Sequence, residues 1–162
     1  MTVLPRVESG RKARLIIWAA TGLGTGFAPF APGTAGTLVG IPCVLLLSLL
    51  PWPLYLLSLI ALTGLAVYLA QAAELRLGKK DPPCIVIDEI VGFLWTLFAL
   101  PLTWQSIIFG FLFFRFFDIV KPFPVRLLQD KLPGGYGIVG DDIMAGIYSN
   151  AALHILWQFS VL

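Results

Sequence analysis

RFFDIVKPFPVRLLQDKLPGGYGIVGDD, residues 115–142, is the stretch around which the rest of the chain is arranged. It leaves an apolar run with Arg115, Asp118 and Lys121 spaced three residues apart, and it ends on the paired aspartates Asp141–Asp142. Two prolines and a glycine-rich segment lie between these charged ends, and another apolar run follows. Charges this dense beside membrane-like sequence are energetically costly and commonly functional. The stretch therefore predicts one half of an active site, whose other half must come from elsewhere in the chain.

The composition predicts an integral membrane protein of one domain. The chain has 162 residues, of which 58% are hydrophobic and only 12% are charged, and its mean hydropathy is +0.89. Soluble domains carry about 25% charged residues, so this chain has too little polar surface to cover a water-soluble globule. A net charge of +2 is too small to indicate nucleic acid as a partner. Cys43 and Cys84 lack the spacing of metal ligands and are expected to be reduced bystanders.

Apolar runs separated by polar or proline-rich links predict an all-α, multi-pass bundle within a single domain, 1–162, whose residues 1–14 form a basic tail. Lysines and arginines mark cytoplasmic loops, so the links 76–80 and 121–131 are expected inside and the links 51–53 and 101–103 outside. The expected topology is about five crossings plus an interfacial or re-entrant segment at 15–32, which is too short and glycine-rich to cross. The apolar runs are 15–30, 38–50, 54–73, 85–100, 104–120 and 143–162.

On this topology, the residues capable of chemistry fall on the same cytoplasmic face. They are the loop Pro29–Thr37, the pair Asp88–Glu89, the group Arg115, Asp118 and Lys121 with the later Arg126, and the pair Asp141–Asp142. The topology was set by basic residues mostly outside these groups, so their convergence is a largely independent observation. We therefore expect a site at the cytoplasmic interface of the membrane.

The chemistry expected there is phosphoryl transfer with Mg²⁺. Carboxylates packed together repel one another unless cations neutralise them, and all-oxygen clusters suit Mg²⁺ together with water and phosphate oxygens. Arg115 and Lys121 supply fixed positive charge for a phosphate group. Phosphoryl chemistry consists largely of positioning and charge neutralisation, which this set of residues can provide. The candidate metal ligands are Asp88, Glu89, Asp118, Asp141 and Asp142.

Simpler structural roles remain open for each of these groups. Asp141–Asp142 follow a predicted glycine-rich turn, 134–137, and could cap the last helix, as Asp88–Glu89 could cap theirs. Arg115 and Lys121 could anchor a helix end at the membrane surface, or pair with Asp118 one turn away.

The segment Pro32–Thr37 is equally open. Its backbone around Gly33 and Thr34 could cradle a phosphate, or its small residues could serve helix packing. It lacks the Gly-Lys-Ser/Thr ending of a P-loop, and no strand precedes it. His154 is the single histidine and is expected to be structural, which excludes a Ser–His–Asp arrangement.

Four blocks of the sequence are PGTAGT (32–37), DEIVG (88–92), RFFDIVKPFP (115–124) and GGYGIVGDDIMAG (134–146). Together they resemble one known family, the bacterial phosphatidylglycerophosphatases A. The resemblance covers nearly the whole chain, and each block alone would be weak.

The resemblance implies a Mg²⁺-dependent lipid phosphatase of the bacterial inner membrane. Its substrate would be phosphatidylglycerophosphate, which loses its terminal phosphate to give phosphatidylglycerol. The family's acidic positions carry over as Asp88, Glu89, Asp118, Asp141 and Asp142, and its basic positions as Arg115, Lys121 and Arg126.

Two other classes of protein compete with this interpretation. A CDP-alcohol phosphotransferase is also a Mg²⁺ membrane enzyme, but its aspartates recur at regular spacing after Asp-Gly, and no such run is present. A small ion-coupled transporter would need acids near the middle of the bilayer, whereas these acids lie at predicted helix ends.

Overall fold

The computed structural model describes residues 10–159, and within that range the chain is all-α, as its apolar runs predict. Seven α-helices and one short 3₁₀ helix, Thr25–Phe27, form in this part of the chain, with no strand. The α-helices are α1 (Arg11–Ala20), α2 (Pro32–Leu47), α3 (Trp52–Leu77), α4 (Ile87–Thr96), α5 (Trp104–Val120), α6 (Val125–Lys131) and α7 (Gly134–Gln158).

Local sequence explains where several of these helices begin and end. Pro32 is the first residue of α2, a position where proline loses no helical hydrogen bond. Thr103 and Ser106 form a reciprocal capping box at the start of α5. Gly78 ends α3 in the left-handed conformation that favours glycine, with φ +64°. Lys121 ends α5 in the same conformation with φ +48°, just before a proline that cannot continue the helix.

Helices α4 and α7 form the centre of the bundle and pack directly against each other. A Cβ atom at Gly146 of α7 would overlap the carbonyl oxygen of Gly92 on α4, and one at Gly92 would meet the Asp142 carbonyl oxygen at 2.7 Å. The absence of side chains at both positions lets the two backbones approach closely. Helices α3 and α5 flank this pair, with α2 beside α4 and α6 beside α7.

Buried apolar side chains form two clusters within the bundle, and α4 contributes to both. One lies between α1, α3, α4 and α7 and includes Ile16, Leu69, Val91 and Val139. The other lies toward the opposite end, where Phe93 packs edge-on against Phe114 at a ring distance of 6.2 Å. Helices α2, α4 and α7 run in one direction, and α3 and α5 run in the opposite one. The start of α2, the end of α3, the start of α4 and the end of α5 therefore meet at one end.

The outward-facing side chains of the bundle are largely apolar. Leu46, Leu57 and Ile119 are 68%, 63% and 70% exposed. Soluble monomeric proteins rarely expose large contiguous apolar surfaces to water. By length and composition, one helix in the described part of the chain, Trp52–Leu77, is long and apolar enough to cross a membrane. The apolar helix Pro32–Leu47 is shorter. The predicted multi-pass topology therefore stays a prediction.

Three local expectations need correction. The segment 134–137 is the first turn of α7 and not a connecting turn, so Asp141–Asp142 lie about two turns inside the helix. They cannot cap it, and that interpretation was wrong. The 3₁₀ helix after α1 and the short helix α6 were not anticipated. Of the predicted basic tail, residues 11–14 form the first turn of α1, and residues 1–9 lie outside the described residues.

Candidate active site

A polar cavity of about 270 Å³ opens where the helix ends meet. It gathers seven of the eight charged residues singled out in the sequence, drawn from α4, α5 and α7, together with the backbone at the start of α2. Its charged and glycine lining residues are Gly33, Asp81, Asp88, Glu89, Arg115, Asp118, Lys121, Asp141 and Asp142.

Three carboxylates form the closest acidic group in this cavity. Asp88, Glu89 and Asp142 each offer an oxygen atom, and these atoms all lie within 4.8 Å of one another. Asp88 and Glu89 occupy the first turn of α4, where the helix dipole favours negative charge. Neither is the N-cap residue, which is Val86. Asp88 and Glu89 therefore interact favourably with the dipole of α4 but do not cap the helix, and both side chains line the cavity.

These acids leave oxygen atoms without any hydrogen-bond partner. Among the described residues, Asp88 Oδ1, Glu89 Oε2, Asp141 Oδ1 and Asp142 Oδ2 are buried and unpartnered. Asp88 and Asp142 are only 7% and 3% exposed. Buried charged oxygens without partners are strongly unfavourable, and a bound cation would satisfy several of them at once. The donor set is all oxygen, so these residues fit a hard divalent cation such as Mg²⁺.

The other two acids predicted from the sequence, Asp118 and Asp141, are paired with the two basic residues at the end of α5. Arg115 Nη1 lies 2.6 Å from Asp118 Oδ2, one helical turn away. Lys121 Nζ donates to Asp141 Oδ2 at 2.5 Å, joining the end of α5 to α7. Burial lowers the pKa of Lys121, but the carboxylates of Asp141, Asp142 and Asp118 together outweigh burial and raise the pKa above its ordinary value. Both ion pairs hold their basic side chains at the wall of the cavity.

Arg115 retains donors for a ligand beyond its pair with Asp118. Its Nε atom is buried and has no hydrogen-bond partner among the described residues. A buried donor of this kind costs free energy unless an acceptor reaches it. An anionic oxygen entering the cavity would supply that acceptor. The predicted intrahelical ion pair and a phosphate-binding role are thus compatible for this residue.

The start of α2 closes the cavity on its remaining side. Gly33 packs so closely that a Cβ atom there would overlap the Glu89 carboxylate and lie 3.0 Å from Arg115 Nη1. Three residues later, Gly36 packs against Val86 at the start of α4. The helix-packing role of the segment 32–37 is thus confirmed, whereas phosphate binding by its backbone stays a prediction. Gly33 faces the polar cavity, whereas Gly36 serves helix packing.

Three residues considered in the sequence lie elsewhere. Arg126 is exposed on α6, and Thr34 is half-buried on α2; neither lines the cavity. His154 lies in α7 and is also absent from the cavity wall. Any contribution of Arg126 or Thr34 to phosphate binding stays a prediction.

Sequence reasoning missed Asp81, which lines the same cavity. It directly follows the link 76–80, whose basic residues predicted only a cytoplasmic loop. Its backbone adopts φ +46°, a conformation that residues other than glycine rarely take. The available signal was its position seven residues before Asp88, directly before two prolines that redirect the chain into α4.

An all-helical bundle with a buried carboxylate cluster and two fixed cations at one end belongs to the class of helical proteins equipped to handle phosphate groups. Comparison with known proteins identifies the family. The model of the family described as Phosphatidylglycerophosphatase A matches residues 18–157. The chain belongs to this family and is a phosphatase.

Curated relatives carry the same family name. Phosphatidylglycerophosphatase A of Escherichia coli K12 is 40% identical over 173 residues, covering 100% of this chain and 99% of that protein. The protein of the same name from Haemophilus influenzae is 46% identical over 132 residues, covering 80% and 81%. A putative phosphatidylinositol-3-phosphatase of Bacteroides thetaiotaomicron is 40% identical over 146 residues, covering 86% and 91%. Comparison with solved structures gave no match.

Proposed function

We propose that this protein hydrolyses the terminal phosphate of phosphatidylglycerophosphate, giving phosphatidylglycerol for phospholipid biosynthesis, in a reaction that requires Mg²⁺. Family membership and the names of two relatives support the substrate. The single observation that carries the chemistry is the group of Asp88, Glu89 and Asp142, whose unpartnered buried oxygens face the same cavity as two cations.

Hydrolysis forms a bond from a water oxygen to phosphorus and breaks the bond from phosphorus to the glycerol oxygen. The leaving oxygen takes up a proton, and the attacking water loses one. In this proposal Arg115 and Lys121 bind the phosphate oxygens, and their pairs with Asp118 and Asp141, which keep both side chains at the cavity wall, support that role. Fixed charges of this kind stabilise a transition state because they need no reorganisation during the reaction.

The carboxylates of Asp88, Glu89 and Asp142 would hold Mg²⁺, with Asp118 and Asp141 as the further acidic candidates. When bound there, Mg²⁺ supplies positive charge that offsets the acids and polarises the phosphate. The same carboxylates are positioned to accept the proton that the attacking water releases. The burial of Asp88 and Asp142 reduces the screening of their charge by water and so strengthens their interaction with a bound cation.

The proposed location is the bacterial inner membrane, with several helices crossing and the charged cavity facing the cytoplasm. The exposed apolar side chains around the bundle and the apolar helix Trp52–Leu77 support a membrane environment. The charged cavity lies at one end of the bundle, which suits a lipid whose tails stay in the bilayer while its phosphate enters from the interface.

The deciding experiment is phosphate release by the purified full-length protein in detergent micelles containing phosphatidylglycerophosphate. We expect release with Mg²⁺, none with EDTA, and recovery when Mg²⁺ is restored in excess. Asp88→Asn and Asp142→Asn should each lower the rate by about 100-fold or more, as when one charged partner of a transition state is removed. Asp130→Asn is the matched control, because Asp130 is exposed on α6 and does not line the cavity.

Different outcomes would overturn different parts of the proposal. No release by the wild-type protein with Mg²⁺ would contradict the substrate, and full activity in EDTA would contradict the cation requirement. Full activity in both aspartate variants would contradict the site. Phosphatidylinositol-3-phosphate should be included as a second lipid, because one relative is named for it. Faster release from that lipid would reassign the headgroup.

A further inference from the structure

We propose that Asp81 is a sixth acid of the cation site and helps to bind the divalent cation from the loop that precedes α4. The inference rests on the proposed function and extends the set of groups that the cation contacts. Asp81 lies outside every sequence block that carries the family resemblance. It is nevertheless part of the cavity wall, beside the carboxylates of α4 and α7.

Two hydrogen bonds hold Asp81 in place from different helices. Its backbone N–H donates to Glu74 Oε1 on α3 at 3.0 Å, and its Oδ2 accepts from Gln129 Nε2 on α6 at 2.8 Å. These contacts orient the loop and one side of the carboxylate. They use only one of the two carboxylate oxygens, so the Oδ1 atom stays available to a ligand in the cavity.

The negative charge of Asp81 repels other carboxylates that line the same cavity. Asp81 lies near enough to Asp88 and to Asp141 to repel the charge on both. A purely structural role in the loop would be served equally well by an asparagine, which can accept the same hydrogen bond without adding repulsion. A carboxylate at this position adds to an already unfavourable concentration of negative charge, which a cation would offset.

An independent observation points to a ligand between these acids. Asp88 Oδ1 and Asp142 Oδ2 belong to side chains that are more than nine-tenths buried, line the same cavity, and have no partner among the described residues. Mg²⁺ binds through one or two carboxylates and keeps several waters, so a further acid can act directly or through one of those waters. Asp81 is suited to either contact because it lines the same cavity from the segment that precedes α4.

Gln129 would then be a positioning residue. It lies on α6, outside the cavity wall, and its side-chain amide donates to the Asp81 carboxylate. Partners that orient a metal-binding carboxylate also contribute to the affinity for the metal. The hydrogen bond from Gln129 to Asp81 would therefore link α6, a helix that the sequence did not predict, to the cation site.

The test is Mn²⁺ binding to the full-length protein in detergent without lipid, measured as free Mn²⁺ by electron paramagnetic resonance. Asp81→Asn preserves an acceptor for Gln129 but removes the charge, and it should raise the Mn²⁺ Kd about tenfold or more. Gln129→Ala keeps the carboxylate but removes its orientation, and it should raise the Kd by a smaller factor. Asp130→Asn, one residue from Gln129 and exposed, should bind Mn²⁺ as the wild type does.

Thermal unfolding without cation separates this role from a structural one. In EDTA, Asp81→Asn should unfold at the wild-type temperature or above it, because one repelling charge is removed, and it should gain less stability than the wild type when Mn²⁺ is added. Wild-type Mn²⁺ affinity in Asp81→Asn, together with a loss in Asp142→Asn, would overturn the inference and leave the proposed function intact. Absence of Mn²⁺ binding to the wild type would overturn both the cation requirement and this inference.

Discussion

Lys121 Nζ contacts Asp141 Oδ2 at 2.5 Å and joins the C-cap residue of α5 to the interior of α7. The Asp141 side chain is 4% exposed and that of Lys121 is 23% exposed. A buried carboxylate is tolerated only when its charge is compensated, so this pair secures the contact between two helices that both supply site residues. It also directs the Lys121 ammonium toward the cavity.

Removal of the lysine charge should therefore affect stability as well as activity. Lys121→Met leaves Asp141 buried without its partner, and we expect a loss of about 2 kcal/mol in the free energy of unfolding. The double variant Lys121→Met/Asp141→Asn should recover part of that stability but none of the activity, because the phosphate-binding charge is still missing. Thermal unfolding in detergent and phosphate release measure the two effects. Equal stability of the single and double variants would contradict the pairing argument.

Gly33 should tolerate no side chain without loss of activity. Gly33→Ala places a methyl group against the Glu89 carboxylate and near the Arg115 guanidinium, so these groups must move. A displacement of about 1 Å in a reacting group can lower the rate by about 100-fold. The matched control is Gly64→Ala on α3, where a Cβ atom meets nothing within 4 Å. Phosphate release should fall only in the Gly33 variant; equal rates in both would refute the close packing.

The central contact between α4 and α7 should depend on Gly146. Gly146→Ala drives a methyl group into the Gly92 carbonyl oxygen, and we expect a loss of about 1–3 kcal/mol in unfolding free energy. Gly140→Ala is the control on the same helix, because its nearest contact, Leu132 Cδ1 at 3.5 Å, is an ordinary one. Thermal unfolding of both variants checks this. The prediction fails if the Gly146 variant is as stable as its control.

The predicted topology places the loop after α3 in the cytoplasm and the link between α2 and α3 outside. In a background with Cys43 and Cys84 replaced by serine, Lys79→Cys should react with a membrane-impermeant maleimide only after the membrane is permeabilised. Ser48→Cys, at the exposed end of α2, should react in intact spheroplasts. Labelling of both positions from the same side would contradict a membrane crossing by the intervening helix.

Much of the site could be predicted because its residues conflict with their local sequence. Asp88 directly follows an apolar stretch, and Arg115, Asp118 and Lys121 lie at the end of one, where charge is costly without a function. The helical architecture was equally accessible, since long apolar runs bounded by proline and glycine favour helices. The glycines at 134–137 were misjudged because glycine is typical of turns, whereas here tertiary contact overrides that preference. Gly135 has no room for a side chain against the Val67 carbonyl oxygen of α3.

The sequence by itself determined that the chain is helical, that its surface is apolar, and that acids and cations are concentrated at a few helix ends. Only the tertiary structure decided how those charges are divided. Asp88, Glu89 and Asp142 form an unpartnered group, whereas Asp118 and Asp141 are neutralised by α5. It also brought Asp81 to the cavity through a hydrogen bond from Gln129, 48 residues later in the chain. Local patterns constrain neighbours within one or two helical turns, but contacts between distant segments depend on how the helices pack.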